Sequence, residues 1–234
     1  MSSSLLRTAR LTLYFIWTLS LMPIQWAGLA LGCRWVETLP AFYHRWCCLM
    51  LGFRVRLIGT PTAERPVLFA ANHVSYTDIT ILGSLIPGSF IAKAEVAKWP
   101  FFGWLAKLQR TVFVDRKISN AAIQRDAISE RLVAGDALIL FPEGTSSDGN
   151  RPLPFKTALF GAAEQRGDIR AVVVQPVSLA YTRLDGIPIG RFLRPFFSWH
   201  GAVGLVPHLW NMIGLGTVEV VVQFHPPTFL ADCG

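Results

Sequence analysis

Two kinds of hydrophobic pattern divide the chain. From residue 11 to residue 33 no side chain carries a formal charge. As one straight helix these 23 residues would run about 34 Å, enough to cross a bilayer. Pro23 stands in the middle beside polar Gln25, and a mid-helix proline removes a hydrogen bond and bends the axis. The pattern predicts two limbs, residues 11–22 and 24–33, each reaching about 15–18 Å, half a bilayer. After residue 52 the pattern changes. Phe53-Arg54-Val55-Arg56-Leu57-Ile58 alternates as a half-exposed strand does, and Gly59-Thr60-Pro61 ends it. Residues 67–71 read as a buried strand, 78–86 as a helix closed by Pro87-Gly88, and 89–92 and 111–114 as short strands. Ser119 is placed to cap a helix that runs to Ala134 and stops at Gly135. Residues 137–140 predict a buried strand, 157–166 a helix, 172–179 a strand, and 217–224 a late strand rich in β-branched residues. Strands alternating with helices predict an α/β fold with a largely parallel sheet flanked by helices. With no internal repeat or low-complexity linker, the chain divides into membrane-anchoring helices over residues 1–50 and one folded domain over 51–234.

Composition sharpens the first part of this picture. Hydrophobic residues make up 52% of the chain, charged residues only 16%, and the net charge is +7. So little charge is unusual for a soluble domain and points to a membrane. Within the first 60 residues six arginines (7, 10, 34, 45, 54 and 56) stand against Glu37 alone. Basic excess beside an apolar segment suits an anionic lipid surface. Nucleic acid would call for a basic stripe on a folded helix or sheet, and none is visible. Arginines flank the apolar segment on both sides, whereas a single crossing leaves its basic flank on one side. The charge pattern thus favours an N-terminal membrane-embedded helical hairpin, re-entrant or interfacial, over one span. Trp17, Trp26 and Trp35 would then sit at headgroup level. The apolar region is too long for a cleaved signal peptide, and no small-x-small site follows it. The aromatic run from Lys98 to Trp104 is either core packing or, beside such an anchor, a lipid contact. Cys33, Cys47, Cys48 and Cys233 lack zinc-ligand spacing and read as thiols of a reducing compartment, so no metal is expected.

Candidate chemistry starts where the run 67–71 ends. His73 and Asp78 lie five residues apart. In one regular helix that separation would rotate them about 140° from each other, and they could not meet. His73 is therefore predicted on a strand-to-helix turn, with Ser75 as the N-cap and Asp78 three residues on, a pattern like a capping box. Asp78 is then either a plain cap residue or the partner of His73. As a pair, His73 takes a proton from a substrate hydroxyl while Asp78 fixes its tautomer and stabilises the imidazolium. Asn72 shapes the turn. The chain has no Gly-x-Ser-x-Gly elbow, no Gly-x-Gly-x-x-Gly and no Walker A pattern. A base without a protein nucleophile fits direct acyl transfer to an alcohol, where the substrate brings the nucleophile.

On these residues the chain resembles the lysophosphatidate (1-acyl-sn-glycerol-3-phosphate) acyltransferase family of glycerolipid acyltransferases. The hallmark Asn-His-x-x-x-x-Asp is matched by Asn72, His73 and Asp78. A second block ending in apolar-Asp-Arg is matched by Val112-Phe113-Val114-Asp115-Arg116, and Phe-Pro-Glu-Gly-Thr by Phe141, Pro142, Glu143, Gly144 and Thr145. The fourth block, Pro-Val on a strand, is matched by Val174-Gln175-Pro176-Val177. Together the blocks cover roughly residues 50–225 in the right order. The resemblance implies transfer of a fatty acyl chain from acyl-CoA or acyl carrier protein to the free hydroxyl of 1-acyl-glycerol-3-phosphate. The product would be phosphatidic acid for phospholipid biosynthesis, with no cofactor beyond the thioester.

The same resemblance implies roles for residues. His73 is the base, Asp78 its partner, and Arg116 the ligand of the acceptor phosphate, with a surface salt bridge to Asp115 as the alternative. A guanidinium offers paired donors to phosphate oxygens. The loop of Phe141, Pro142, Glu143, Gly144 and Thr145 helps hold the acceptor. Glu143 is expected to accept a hydroxyl or to orient Arg116, while the amides of Gly144 and Thr145 face the anion. Lys156 and Arg151 either add positive charge there or belong to a solvated basic loop. Lys93 and Glu95 fall at a Lys-x-Glu element of the family, their roles open. The long third block, residues 141–160, also resembles members that act on lyso-ornithine lipid, whose headgroup would offer Arg116 a carboxylate. Two other classes remain: a non-catalytic lipid-binding module, which needs no His73–Asp78 pair, and a thioesterase, which needs a water site. The expected location is the inner (plasma) membrane with the catalytic domain on the cytoplasmic side. The expected partners are the lysolipid, the thioester donor and the anionic membrane surface.

Overall fold

The computed structural model describes residues 4–114, 121–156, 160 and 172–229. Its first element departs from the two-limb expectation. Helix α1 (Ser4–Ala30) runs 27 residues without interruption, Pro23 inside it. A proline costs one backbone hydrogen bond and bends a helix, but it does not reverse the chain. Reversal comes later, at Gly32 with φ 66° and a 3₁₀ turn over Arg34–Glu37, and leads into α2 (Leu39–Leu51). A helical hairpin forms, with α1 and α2 as its limbs. Trp17 lies in the seam between them: its indole N–H donates to the Tyr43 carbonyl (3.3 Å), and its ring meets Phe42 and Trp46. Trp26 and Trp35 face outward.

Helix α1 is held along its side. Near one end the Arg10 guanidinium donates to the carbonyls of Ile213, Leu215 and Gly216 at 3.0, 2.6 and 3.1 Å. Near the other, buried Gln25 donates to the carbonyls of Val36 (2.9 Å) and Leu108 (3.0 Å). The helix is long and apolar enough to cross a membrane. It nonetheless runs along the domain for the 15 residues between these anchors, about 22 Å.

Chain order then gives β1 (Phe53–Ile58), β2 (Val67–Ala71), α3 (Thr77–Gly83), β3 (Ser89–Lys93), a 3₁₀ turn (Ala94–Lys98), α4 (Phe102–Leu108) and β4 (Val112–Val114). There follow α5 (Ala121–Val133), β5 (Ala137–Leu140), β6 (Val173–Leu184), β7 (Ile187–Pro188), α6 (Arg194–Phe197), α7 (Leu205–Met212), β8 (Val218–Phe224) and β9 (Thr228–Phe229). The sheet order is β1-β8-β6-β2-β5-β3-β4, and β6–β8 is the antiparallel pair on that path. The largely parallel α/β expectation holds. Strand β6 continues past the predicted residue 179 because β8 pairs with it as far as Leu184. Helices α4, α6 and α7 were not predicted. Ser119 and, apart from residue 160, the predicted helix 157–166 lie outside the described residues.

Strand β2 explains how the sheet is covered. All five of its residues are buried. Val67, Phe69 and Ala71 pack with Ile81 and Leu82 of α3 and Cys48 of α2. Leu68 and Ala70 point the other way, towards Ile128 and Leu132 of α5. An uninterrupted apolar strand is what a parallel sheet covered on both faces requires. The parallel strands β2, β3, β4 and β5 all release the chain at one edge, and β6 runs beside β2 with Val177 opposite Ala71. Ligand sites of such sheets lie at the carboxyl ends of the strands.

Candidate active site

At that edge β2 ends in Ala71 and the chain turns into α3. Asn72 fastens the turn to the neighbouring strand. Its side-chain amide donates to the Leu179 carbonyl (3.0 Å), and its side-chain oxygen accepts from the Leu179 amide (2.7 Å). An asparagine side chain thus extends the β2–β6 ladder by one rung, which is more specific than the turn-shaping role expected of it.

His73 follows, before the helix, and the pair meets: Nδ1 lies 2.9 Å from Asp78 Oδ2. The same oxygen accepts from the backbone amides of Val74 (2.6 Å) and Ser75 (2.9 Å). Asp78 Oδ1 accepts from the Tyr181 hydroxyl at 2.7 Å. Asp78 is fully buried, while the His73 side chain keeps 18% of its surface exposed. An ionised carboxylate can only accept, so the imidazole proton belongs on Nδ1 and the lone pair on Nε2. The Asp78 side chain therefore caps the turn and holds the histidine at once, so the two sequence readings of this residue are compatible.

Ser75 departs from expectation. The helix begins at Thr77, Tyr76 occupies the N-cap position, and no side chain caps there. The Ser75 hydroxyl is buried without a partner among the described residues. Only the reach-back half of a capping box is built, from Asp78 to the Ser75 amide.

Glu143 lies beneath this turn, 2% exposed. Its Oε1 accepts from the His73 amide (2.9 Å) and its Oε2 from the Leu153 amide (2.9 Å). Burial pushes its carboxyl above the usual value, and the Leu153 and His73 amides work against that rise. Its described partners are thus backbone amides rather than a substrate hydroxyl. Phe141 stacks on the imidazole, ring centroids 4.0 Å apart and planes 21° from parallel. The Gly144 amide donates to the Phe141 carbonyl (3.0 Å). It closes a turn. Gly144 has φ 68°, and a Cβ there would lie 3.1 Å from Lys156 Nζ. The backbone conformation favours glycine, while the exposed Lys156 side chain can give way.

Lys156 is exposed, and its backbone amide donates to the carbonyl of buried Pro142 (2.9 Å). Thr145 and Arg151 are exposed, Lys93 ends β3, and Glu95 is exposed on the 3₁₀ turn. Arg116 lies outside the described residues. The amides of His73, Val74 and Ser75 are all engaged by carboxylates, so none of them is available to a developing oxyanion. Among the described residues no group of three or more His, Cys, Asp or Glu is placed to hold a metal.

Sequence reasoning missed Tyr181, Ser147 and Trp199. Tyr181 is buried, and burial followed by the Asp78 charge holds its phenol well above the ordinary range, so it stays protonated as a donor. The signal for it was the inward alternation of Val177, Leu179 and Tyr181 along β6, in which a tyrosine hydroxyl needs a partner. Ser147 donates to the His73 carbonyl from its amide (2.8 Å) and its hydroxyl (3.1 Å). The Trp199 amide donates to the Val74 carbonyl (3.0 Å). Neither contact leaves a trace in the pattern.

The family profile described as Acyltransferase matches residues 53–180. The chain is 48% identical over 217 residues to a lyso-ornithine lipid O-acyltransferase of Brucella abortus, covering 91% of this chain and 81% of that one. It is 37% identical over 171 residues to a 1-acyl-sn-glycerol-3-phosphate acyltransferase of Neisseria gonorrhoeae, covering 71% and 63%. The crystal structure of the 1-acyl-sn-glycerophosphate acyltransferase PlsC from Thermotoga maritima shares the fold, with a TM-score of 0.60 at 23% identity over 94% of this chain and 85% of that one. The profile match over more than half of the chain, with the 48% identity to a relative covered over 81% of its length, makes the chain a member of the glycerolipid acyltransferase family.

Proposed function

We propose that the protein transfers a fatty acyl chain from an acyl thioester to the free hydroxyl of lyso-ornithine lipid. For the reaction, the carrying observation is His73 Nδ1 at 2.9 Å from fully buried Asp78, which leaves Nε2 free to accept a proton. Nε2 removes the acceptor's hydroxyl proton as the oxygen attacks the thioester carbonyl. Asp78 stabilises the imidazolium that forms. Collapse of the tetrahedral intermediate breaks the carbon–sulfur bond, and the leaving thiolate takes the proton back from Nε2. No acyl-enzyme forms, since the acceptor itself is the nucleophile. The thioester is carried by coenzyme A or by acyl carrier protein.

For the acceptor, support comes from the greater likeness to the lyso-ornithine lipid enzymes. Identities of 48% and 46% to those of Brucella abortus and Rhizobium meliloti span 81% and 72% of each. Lys156 beside the Gly144 turn, and Arg116, would then meet a carboxylate. The second reading, 1-acyl-glycerol-3-phosphate as acceptor, draws on the complete Phe-Pro-Glu-Gly-Thr block and the same cations, which suit phosphate as well. Purified protein assayed on both lysolipids separates them. Faster turnover of the ornithine lipid is expected, and faster turnover of the phosphate lipid overturns the assignment. In either case His73→Ala removes acyl transfer while circular dichroism and vesicle binding stay unchanged. Near-normal turnover by that variant would refute the base role. The reading places the enzyme at the inner membrane with its domain on the cytoplasmic side, where thioester donors are found.

A further inference from the structure

The segment between β7 and β8 lies against the catalytic turn and points large apolar side chains into solvent. Phe192, Leu193, Phe196, Val203, Val206 and Trp210 are all exposed, Phe192 by 97% and Val206 by 75%. Folding gains nothing from outward side chains of this size, and a contiguous exposed apolar face marks an interaction surface. From residue 186 to residue 218 the sequence holds no carboxylate, while Arg191, Arg194, His200 and His208 fall inside that stretch. Apolar side chains beside Arg191 and Arg194, with Asp148 near His200 as a carboxylate at the rim, match anionic headgroups over acyl chains.

The segment touches side chains of two other elements. The Arg7 guanidinium of α1 lies over the Trp210 ring, 5.4 Å from its centroid. On the other side Trp199 meets Trp99 edge-on at 5.9 Å, and the neighbouring Trp104 is 63% exposed. Two hydrogen bonds tie the face to the dyad turn: Tyr76 hydroxyl to His208 Nδ1 at 2.9 Å, and Trp199 amide to Val74 carbonyl at 3.0 Å.

We propose that residues 191–210, with the Trp99–Trp104 patch, form a second bilayer-docking surface that seats the turn carrying His73 on anionic lipid. Helix α1 then serves as one of two contacts, and a lysolipid reaches His73 without crossing water. The proposal goes beyond the acceptor assignment and holds for either lysolipid.

Site-directed spin labelling tests it without turnover. The full chain carries Val206→Cys with a nitroxide, with Cys33 and Cys233 replaced by serine, on phosphatidylcholine vesicles containing phosphatidylglycerol. A label at exposed Glu64→Cys is the aqueous control. The Val206 label is expected to be reached by oxygen and shielded from a nickel chelate, the control label the reverse. Equal nickel access at both sites overturns the proposal. So does shielding that develops only on adding acyl carrier protein, which would assign the face to a protein donor. The double variant Phe192→Ser/Val206→Ser, altered only at exposed positions, gives the kinetic counterpart. Its KM for vesicle-borne lysolipid is expected to rise about tenfold from the lost apolar contact. Its kcat on a short-chain acceptor below its micellar concentration stays unchanged. An unchanged KM on vesicles overturns the docking role.

Discussion

Asp78 receives more donors than a plain cap residue needs. Three reach Oδ2 and one reaches Oδ1. Together they fix the carboxyl in place, and a fixed acceptor at Nδ1 keeps the imidazole in one tautomer. Tyr181 is a positioning residue in this scheme, because it reaches Asp78 and not the reacting atoms. Tyr181→Phe takes away the donor to Asp78 Oδ1. Its kcat should fall about tenfold, roughly the worth of one hydrogen bond to a charged group, with KM little changed. Steady-state kinetics of the two proteins checks this. Glu143 joins the His73 and Leu153 amides. In Glu143→Gln one amide donor must face the new NH₂ group, and urea titration should show a loss of about 1–3 kcal/mol. The pH dependence has a definite sign. Folding raises the Glu143 carboxyl, so its proton-linked stability is full below the unfolded value of about 4.3 and is lost as pH rises through the folded value. Glutamine does not titrate, so the advantage of wild type over the variant should shrink as pH rises across that window.

At the scale of elements, the strand-to-helix turn after β2 is held by neighbours distant in sequence: β6 through Asn72 and Tyr181, the loop after β5 through Glu143 and Ser147, and the α6–α7 segment through Trp199. The turn can be rigid with little structure of its own, since α3 has seven residues and no side-chain cap. Helix α1 is tied down in the same way. Gln25→Leu would leave the Val36 and Leu108 carbonyls unpaired, at about 1–3 kcal/mol each. Limited trypsin digestion should then cut faster at Arg34, in the turn that Gln25 holds. Unchanged cleavage would mean that the apolar seam with α2 carries the docking by itself.

For the whole molecule the decisive relation is the direction of α1 to the domain. A crossing helix would leave the domain at one end, whereas this one touches it from Arg10 to Gln25. This contact predicts a helix that lies in one leaflet with the domain beside it. Deletion of residues 1–34 should weaken membrane association or leave the protein prone to aggregate, as fractionation and light scattering would show. An N-terminal tag should be accessible from the same side as the domain. Accessibility from the opposite side would restore the single crossing.

Much of the fold was legible in local pattern, because strands and parallel sheets write themselves as short apolar runs. Strand β2 and strand β5 fall where the runs at 67–71 and 137–140 put them. The meeting of His73 and Asp78 was legible too, since helical geometry leaves their five-residue spacing one solution. Hairpin limbs were misplaced because a proline marks a weak point in a helix, while the place where the chain turns back depends on what α1 packs against. The same holds for Glu143. Its residue type suggested contact with substrate, but a buried carboxylate takes whatever donors tertiary packing supplies, and here these are two backbone amides. Sequence by itself determined the family blocks, their order and the pairing of His73 with Asp78. Only the tertiary structure decided that Tyr181, Ser147 and Trp199 brace it, because hydrogen bonds between segments far apart leave no periodicity in the chain that makes them.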